Sequence, residues 1–163
     1  MTRQRAQLLL LAGSLAAALL LTLVPLPAAL VPLKPYWPAL VLIFWSLEAP
    51  EQIGLGLAFA IGLFADLLNG ALLGEQALRL TALVFIALRF RARLRFFPMW
   101  QQALAVFALL LNDRVLLLMV RAFAGDPLPP ANYWLEPFTG TLVWPFLFLL
   151  LDDLRARLRV HEA

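Results

Sequence analysis

The residues able to do chemistry are a few charges set among apolar side chains. Asp66, Glu75, Arg79, Asp113 and Arg114 all stand within or beside runs built from Leu, Ala, Val and Phe. A lone charge at the centre of a bilayer costs about 2.5–3.5 kcal/mol on insertion scales, so such residues pair, face a cavity or line a path. Glu75 and Arg79 are four apart, which puts them on one helical face. With Asp66 a few residues earlier, the spacing suits an Asp66–Arg79 or Glu75–Arg79 pair that ties a tight hairpin at Asn69-Gly70. The competing expectation is an ion or small-ligand site on the non-cytoplasmic face, lined by Trp37, Asp66, Glu75 and Arg79. Asp113 and Arg114 are consecutive, hence about 100° apart around a helix, and each is expected to find its partner on a different helix. Arg121 follows toward the outer end. A proton relay would need a series of such acids with a histidine, and His161 stands by itself in the C-terminal tail.

Other chemistries find less support. The chain has no cysteine, which removes disulfides, thiolate metal sites and cysteine nucleophiles. It has no G-x-S-x-G elbow, no metal-binding pair of histidines and no Gly-rich phosphate loop. No catalytic residue, metal or cofactor is therefore expected. The net charge of +3 could suggest nucleic acid, but the arginines fall in short clusters between apolar runs, as membrane-flanking charges do.

The elements that must carry these residues are membrane helices. Of 163 residues, 63% are hydrophobic and 14% charged, with a mean hydropathy of +0.87. A soluble domain is nearer half apolar and a quarter charged, so the natural solvent is lipid. Five runs read as spans, at about 6–24, 53–69, 71–90, 100–124 and 138–154. A sixth, 36–47, reaches only about 18 Å at ~1.5 Å per residue. Pro35 and Pro38 suit a helix start there, where a missing N–H costs nothing. The N-terminal run could also be a signal peptide, but it is long for one and no clear cleavage motif follows it in Pro25-Leu26-Pro27-Ala28.

Charge decides the parity. Arg3 and Arg5, then Arg89, Arg91, Arg93 and Arg95, then Arg155, Arg157 and Arg159 form three basic clusters, whereas 25–35 and 125–137 hold Lys34 alone as a cation. Six crossings place all three clusters in the cytoplasm, as the positive-inside rule asks; five do not. Four crossings plus a non-crossing hairpin of 36–47 and 53–69 is the weaker arrangement, since 53–69 is apolar enough to span. Trp37, Trp100, Tyr133, Trp134 and Trp144 fall near predicted ends, where amphipathic rings favour the interface. The expectation is an all-α integral membrane protein of six helices, residues 1–163 forming one membrane domain with both termini cytoplasmic.

The third span carries a pattern of its own. Gly54, Ala58, Gly62, Asp66 and Gly70 recur every four residues and share a face, with Gly56 and Ala60 adding a second ridge. In lipid, helices associate by close packing, which small residues allow. This face is either an internal seam or a docking surface for another protein's helix.

These motifs resemble the MreD family of the bacterial rod-shape machinery. The matching segments are Pro25-Leu26-Pro27, Lys34-Pro35-x-Trp37-Pro38, Pro50-x-x-x-Gly54, Gly62-x-x-x-Asp66-x-Leu68-x-Gly70-x-x-Leu73-Gly74-x-x-Ala77-Leu78, Phe97-Pro98-x-Trp100-Gln101-Gln102-Ala103 and Gly140-x-x-x-Trp144-Pro145. They run in order along nearly the whole chain; Asn112-Asp113-Arg114 lies outside them. The resemblance implies a non-enzymatic partner of MreC in the inner membrane. That partner works in a complex with RodA and a class B penicillin-binding protein, coordinated with MreB filaments. It also implies a bundle similar to the membrane S-components of energy-coupling-factor transporters, which keeps small-molecule binding as the alternative function. On the scaffold reading, the Gly54–Gly62 face and the outer loops are the expected contacts.

Overall fold

A computed structural model describes residues 3–70 and 73–162, with backbone alone for Arg3 and 159–162. The expectations placed on the side chains of Arg3, Arg159 and His161, and on the start of the 71–90 run, lie outside the described residues. Among the described residues seven helices form: α1 (Arg3–Thr22), α2 (Trp37–Glu48), α3 (Leu55–Asn69), α4 (Glu75–Arg89), the single turn α5 (Arg91–Leu94), α6 (Met99–Phe123) and α7 (Leu135–Glu162). Short 3-10 turns lie at Val31–Leu33, Pro50–Gln52 and Ala131–Trp134, and no strand occurs among the described residues.

Local sequence explains the boundaries. Pro38 sits in the first turn of α2, and Pro50 opens the 3-10 turn just beyond its end. α3 stops where Gly70 turns left-handed at φ 63°, a conformation costly for any residue with a Cβ. α4 then begins at Glu75, and Leu73 and Gly74 of the expected 71–90 run belong to the turn before it. Pro145 lies inside α7, which membrane helices tolerate because neighbours re-satisfy the freed carbonyl.

The apolar runs thus become helices, and among the described residues three are long and apolar enough by themselves to cross a membrane: Gln4–Thr22, Met99–Phe123 and Ala131–Leu158. α3 is apolar but shorter, at 15 residues. α2, with 12 residues, is the centre of the bundle, and everything from Pro38 to Leu47 is buried. It packs against α1, α4 and α7; α6 lies on α4 and α7, and α3 on α4. A helix wrapped in protein need not match the hydrocarbon thickness, which is why so short a segment is stable there.

Leu40, Ile43, Phe44 and Trp45 of α2 meet Leu80, Leu83 and Val84 of α4, Leu110 of α6 and Trp144 of α7 in one continuous core. Trp144 departs from expectation. It is fully buried, donating Nε1–H to Gln102 Oε1 at 3.2 Å, and so is a core residue and not an interfacial one. Gln102 in turn donates to the Leu94 carbonyl at 3.2 Å, so one buried amide ties α5, α6 and α7 together. Outward faces carry exposed Phe59, Phe64, Phe85, Leu142 and Phe146, the pattern of a lipid-facing surface.

The two ends of the bundle differ in charge. At the arginine-rich end, Arg91 Nε donates to the Leu47 carbonyl at 3.0 Å, satisfying an otherwise orphaned C-terminal acceptor of α2. Arg155 reaches Glu48 at 3.2 Å and lies over the Trp45 ring at 5.6 Å. The opposite end holds the proline-rich loop and the polar cluster described next.

Candidate functional site

The α3–α4 hairpin is built by its small residues and one carboxylate. A Cβ added at Gly62 would stand 2.2 Å from Ala77 Cα, so glycine alone lets the α3 backbone lie directly on α4. Ala58 and Ala65 are buried on the same helix. Four residues beyond Gly62, Asp66 is 1% exposed and accepts two backbone hydrogen bonds, from Gly74 N–H at 2.8 Å and Gln76 N–H at 3.0 Å. These are free donors at the start of α4, where a carboxylate is also favoured by the helix dipole. Asp66 is thus a cap delivered from a neighbouring helix. The expected small-residue face is therefore covered by α4 at Ala58, Gly62 and Asp66, while Gly54 and Gly70 at its ends are exposed.

Arg79 takes its main partner from α6. Its Nε and Nη2 donate to Asp113 Oδ1 and Oδ2 at 3.0 and 2.7 Å, a bidentate pair between side chains that are 7% and 0% exposed. Glu75, one turn earlier, stands 3.9 Å from Arg79 Nη1 and 3.7 Å from Arg121. The Tyr36 ring covers the guanidinium at 4.5 Å, and its hydroxyl donates to Gln76 Oε1 at 3.1 Å. Of the two pairings the hairpin spacing allowed, Glu75–Arg79 is present as the looser contact. Asp66 is engaged with backbone instead, because it lies nearer the α4 amides than the guanidinium one turn further on.

Asp113 and Arg114 diverge around α6 and are taken up by different helices. Arg114 pairs with Glu136 of α7 and lies over the Tyr133 ring at 4.5 Å, while Tyr133 donates its hydroxyl hydrogen to the Arg114 carbonyl at 2.6 Å. The outcome is a chain of charges that links α4, α6 and α7 beneath the proline-rich loop. Tyr36, Gln76, Tyr133 and Glu136 were not singled out by the sequence as parts of it. Tyr133 carried one signal, an amphipathic ring near a predicted helix end, but nothing in linear spacing joins it to Arg114 or Tyr36 to Arg79.

A depression of about 330 Å³ opens beside this cluster, lined by Lys34, Tyr36, Asn69, Gln76, Arg79 and Arg121 among others. Lys34 Nζ donates to the Thr22 carbonyl at the end of α1. Trp37, Asp66 and Glu75, expected as walls of a site here, do not line it; Asp66 and Glu75 are buried in the contacts already given. Among the described residues no three His, Asp or Glu side chains converge as metal ligands.

Comparison with known proteins settles the family. The family model for the rod shape-determining protein MreD matches residues 2–154. A curated relative, the rod shape-determining protein MreD of Haemophilus influenzae, is 33% identical over 144 residues, covering 88% of this chain and 89% of its own. The chain belongs to the MreD family. No solved structure matches it. Membership gives the protein a part in cell shape, within the membrane assembly that determines it. It also gives the quoted motifs physical meaning. Gly62, Asp66, Gly70 and Gly74 are the seat, cap and turn of the α3–α4 hairpin. Gln102 and Trp144 form the clasp between α6 and α7. These MreD motifs are architectural in this structure, and the bidentate Arg79–Asp113 pair adds a cross-brace between them.

Proposed function

We propose that this MreD-family protein is a non-enzymatic scaffold of the bacterial cell-elongation complex, binding MreC directly and supporting lateral peptidoglycan synthesis alongside RodA, a class B penicillin-binding protein and MreB filaments. The observation that carries the reading is the state of the buried ionisable groups. Asp66 caps α4, and Glu75, Arg79, Asp113, Arg114 and Glu136 are each held in an ion pair, so these charges serve the packing of the bundle. Six crossings of the inner membrane with cytoplasmic termini are the topology that best fits the arginine clusters, with α2 crossing inside the bundle and α3 and α4 at its edge, as one membrane domain. On this topology, packing serves Ala58 and Gly62, and partner contact falls to the exposed loops. The test is depletion in a rod-shaped host: loss of rod shape, restored by the intact gene, is expected, and normal rods after depletion would overturn the reading.

One observation favours a second reading, an S-component-like binder of a small molecule: the open depression beside Lys34, Gln76 and Arg79. Native mass spectrometry of the purified protein tests it, since a retained small-molecule adduct is expected and an adduct-free spectrum counts against it.

A further inference from the structure

We propose that the shallow groove between α4 and α6, at the foot of the Arg89–Arg95 cluster, holds one anionic phospholipid. Its phosphate would lie on Arg89 and Arg93, and an acyl chain along the groove. The groove has a volume of about 300 Å³ and mostly apolar walls: Ile86 of α4, Phe90 just beyond its end, Leu94 of α5, and Ala105, Ala108 and Leu109 of α6, with Asn112 at the far end. Alanines at 105 and 108 leave the space that larger side chains would fill. Arg89 immediately precedes Phe90, and Arg93 immediately precedes Leu94, so two exposed cations adjoin the groove's lining along the chain at its arginine-rich end.

Those cations are available. Arg91 is spent on the Leu47 carbonyl, whereas Arg89, Arg93 and Arg95 are exposed, and no acidic side chain pairs with them among the described residues. Exposed Phe96 and Trp100 flank the cluster, which seats this end at headgroup level. Basic pockets between membrane helices recruit anionic headgroups, and each nearby arginine contributes attraction that a zwitterionic lipid does not receive. The opposite end offers no equivalent: there Lys34, Arg79, Arg114 and Arg121 are offset by Glu75, Asp113, Glu136 and Asp126. This proposal does not depend on the scaffold reading.

The other occupant such a groove could take is a partner's transmembrane helix. Asn112, exposed at the far end of the groove, would be the polar contact for it.

The test uses the full chain purified in neutral detergent, titrated separately with phosphatidylglycerol and phosphatidylcholine and read as bound-lipid adducts by native mass spectrometry. One phosphatidylglycerol is expected to bind at least tenfold more tightly than phosphatidylcholine. The double variant R89Q/R93Q should lose that preference by about tenfold or more, and A108F, which fills the groove without changing charge, should weaken binding comparably. R157Q, on α7 and outside the groove, should leave it unchanged. Equal binding of the two lipids overturns the proposal. So does A108F binding as the wild type does, which would mean a diffuse basic surface and no groove site. If the wild-type groove crosslinks to a protein in native membranes and N112L abolishes that crosslink, the occupant is a helix and the lipid proposal fails.

Discussion

Replacing Asp113 by asparagine isolates the charge of the α4–α6 brace while keeping its shape. The carboxylate is fully buried and takes two hydrogen bonds from a guanidinium that is itself nearly buried. Removing one partner of such a pair leaves an uncompensated buried charge, at a cost of about 3–5 kcal/mol. Glu75 at 3.9 Å and the Tyr36 ring at 4.5 Å still attract Arg79, so the lower end, about 3 kcal/mol, is expected. On the scale of globular domains this size, that lowers the unfolding midpoint by roughly 6–12 °C. The assay is thermal unfolding of purified wild type, D113N, R79M and the double variant R79M/D113L in one mild detergent. Because two matched apolar residues often replace a buried ion pair without loss, the double variant should be less destabilised than either single one. A D113N midpoint within a degree of wild type would refute the reasoning. So would a double variant whose loss equals the sum of the two single losses.

Three further outcomes follow from the same geometry. G62A should destabilise by about 1–3 kcal/mol, as overpacking does, because its new methyl meets backbone, whereas G56A, with open space around it, should be neutral or slightly stabilising; paired unfolding curves check this. D66A should cost about 1–2 kcal/mol by uncapping α4, and hydrogen exchange should rise at the amides of Gly74 and Gln76 first. Q102L should cost about 1–3 kcal/mol by stranding the buried indole N–H of Trp144, readable as a change in tryptophan fluorescence together with a lower midpoint.

Much of the helical layout was legible because hydropathy and proline placement act locally. The run read as 36–47 forms Trp37–Glu48, and 53–69 forms Leu55–Asn69. What hydropathy could not supply was surroundings. α2 has the length of a failed span, yet it is the most enclosed helix, a property conferred by α1, α4 and α7 and not by its own residues. The polar cluster shows the same division. Glu75–Arg79 was visible as an i, i+4 spacing, but the tighter Asp113 partner lies 34 residues away and becomes a neighbour only when α4 packs on α6. The divergence of Asp113 and Arg114 follows from helix geometry alone; the identity of their partners does not. Asp66 stood on a face of small residues, which pointed to packing, yet its capping role required α4 to start at Glu75, a boundary set by Gly74 at φ 96°. Hydropathy alone starts the last run at 138 and leaves Trp144 near its end, whereas α7 begins at Leu135 and carries the indole into the core.

The scaffold role we propose for this MreD-family chain rests on its holding MreC. Affinity purification of the tagged protein from native membranes, with MreC quantified in the eluate, tests it most directly. MreC co-eluting in fixed proportion, and persisting through a high-salt wash, is the predicted result. An eluate that contains the intact, folded protein without MreC would contradict it.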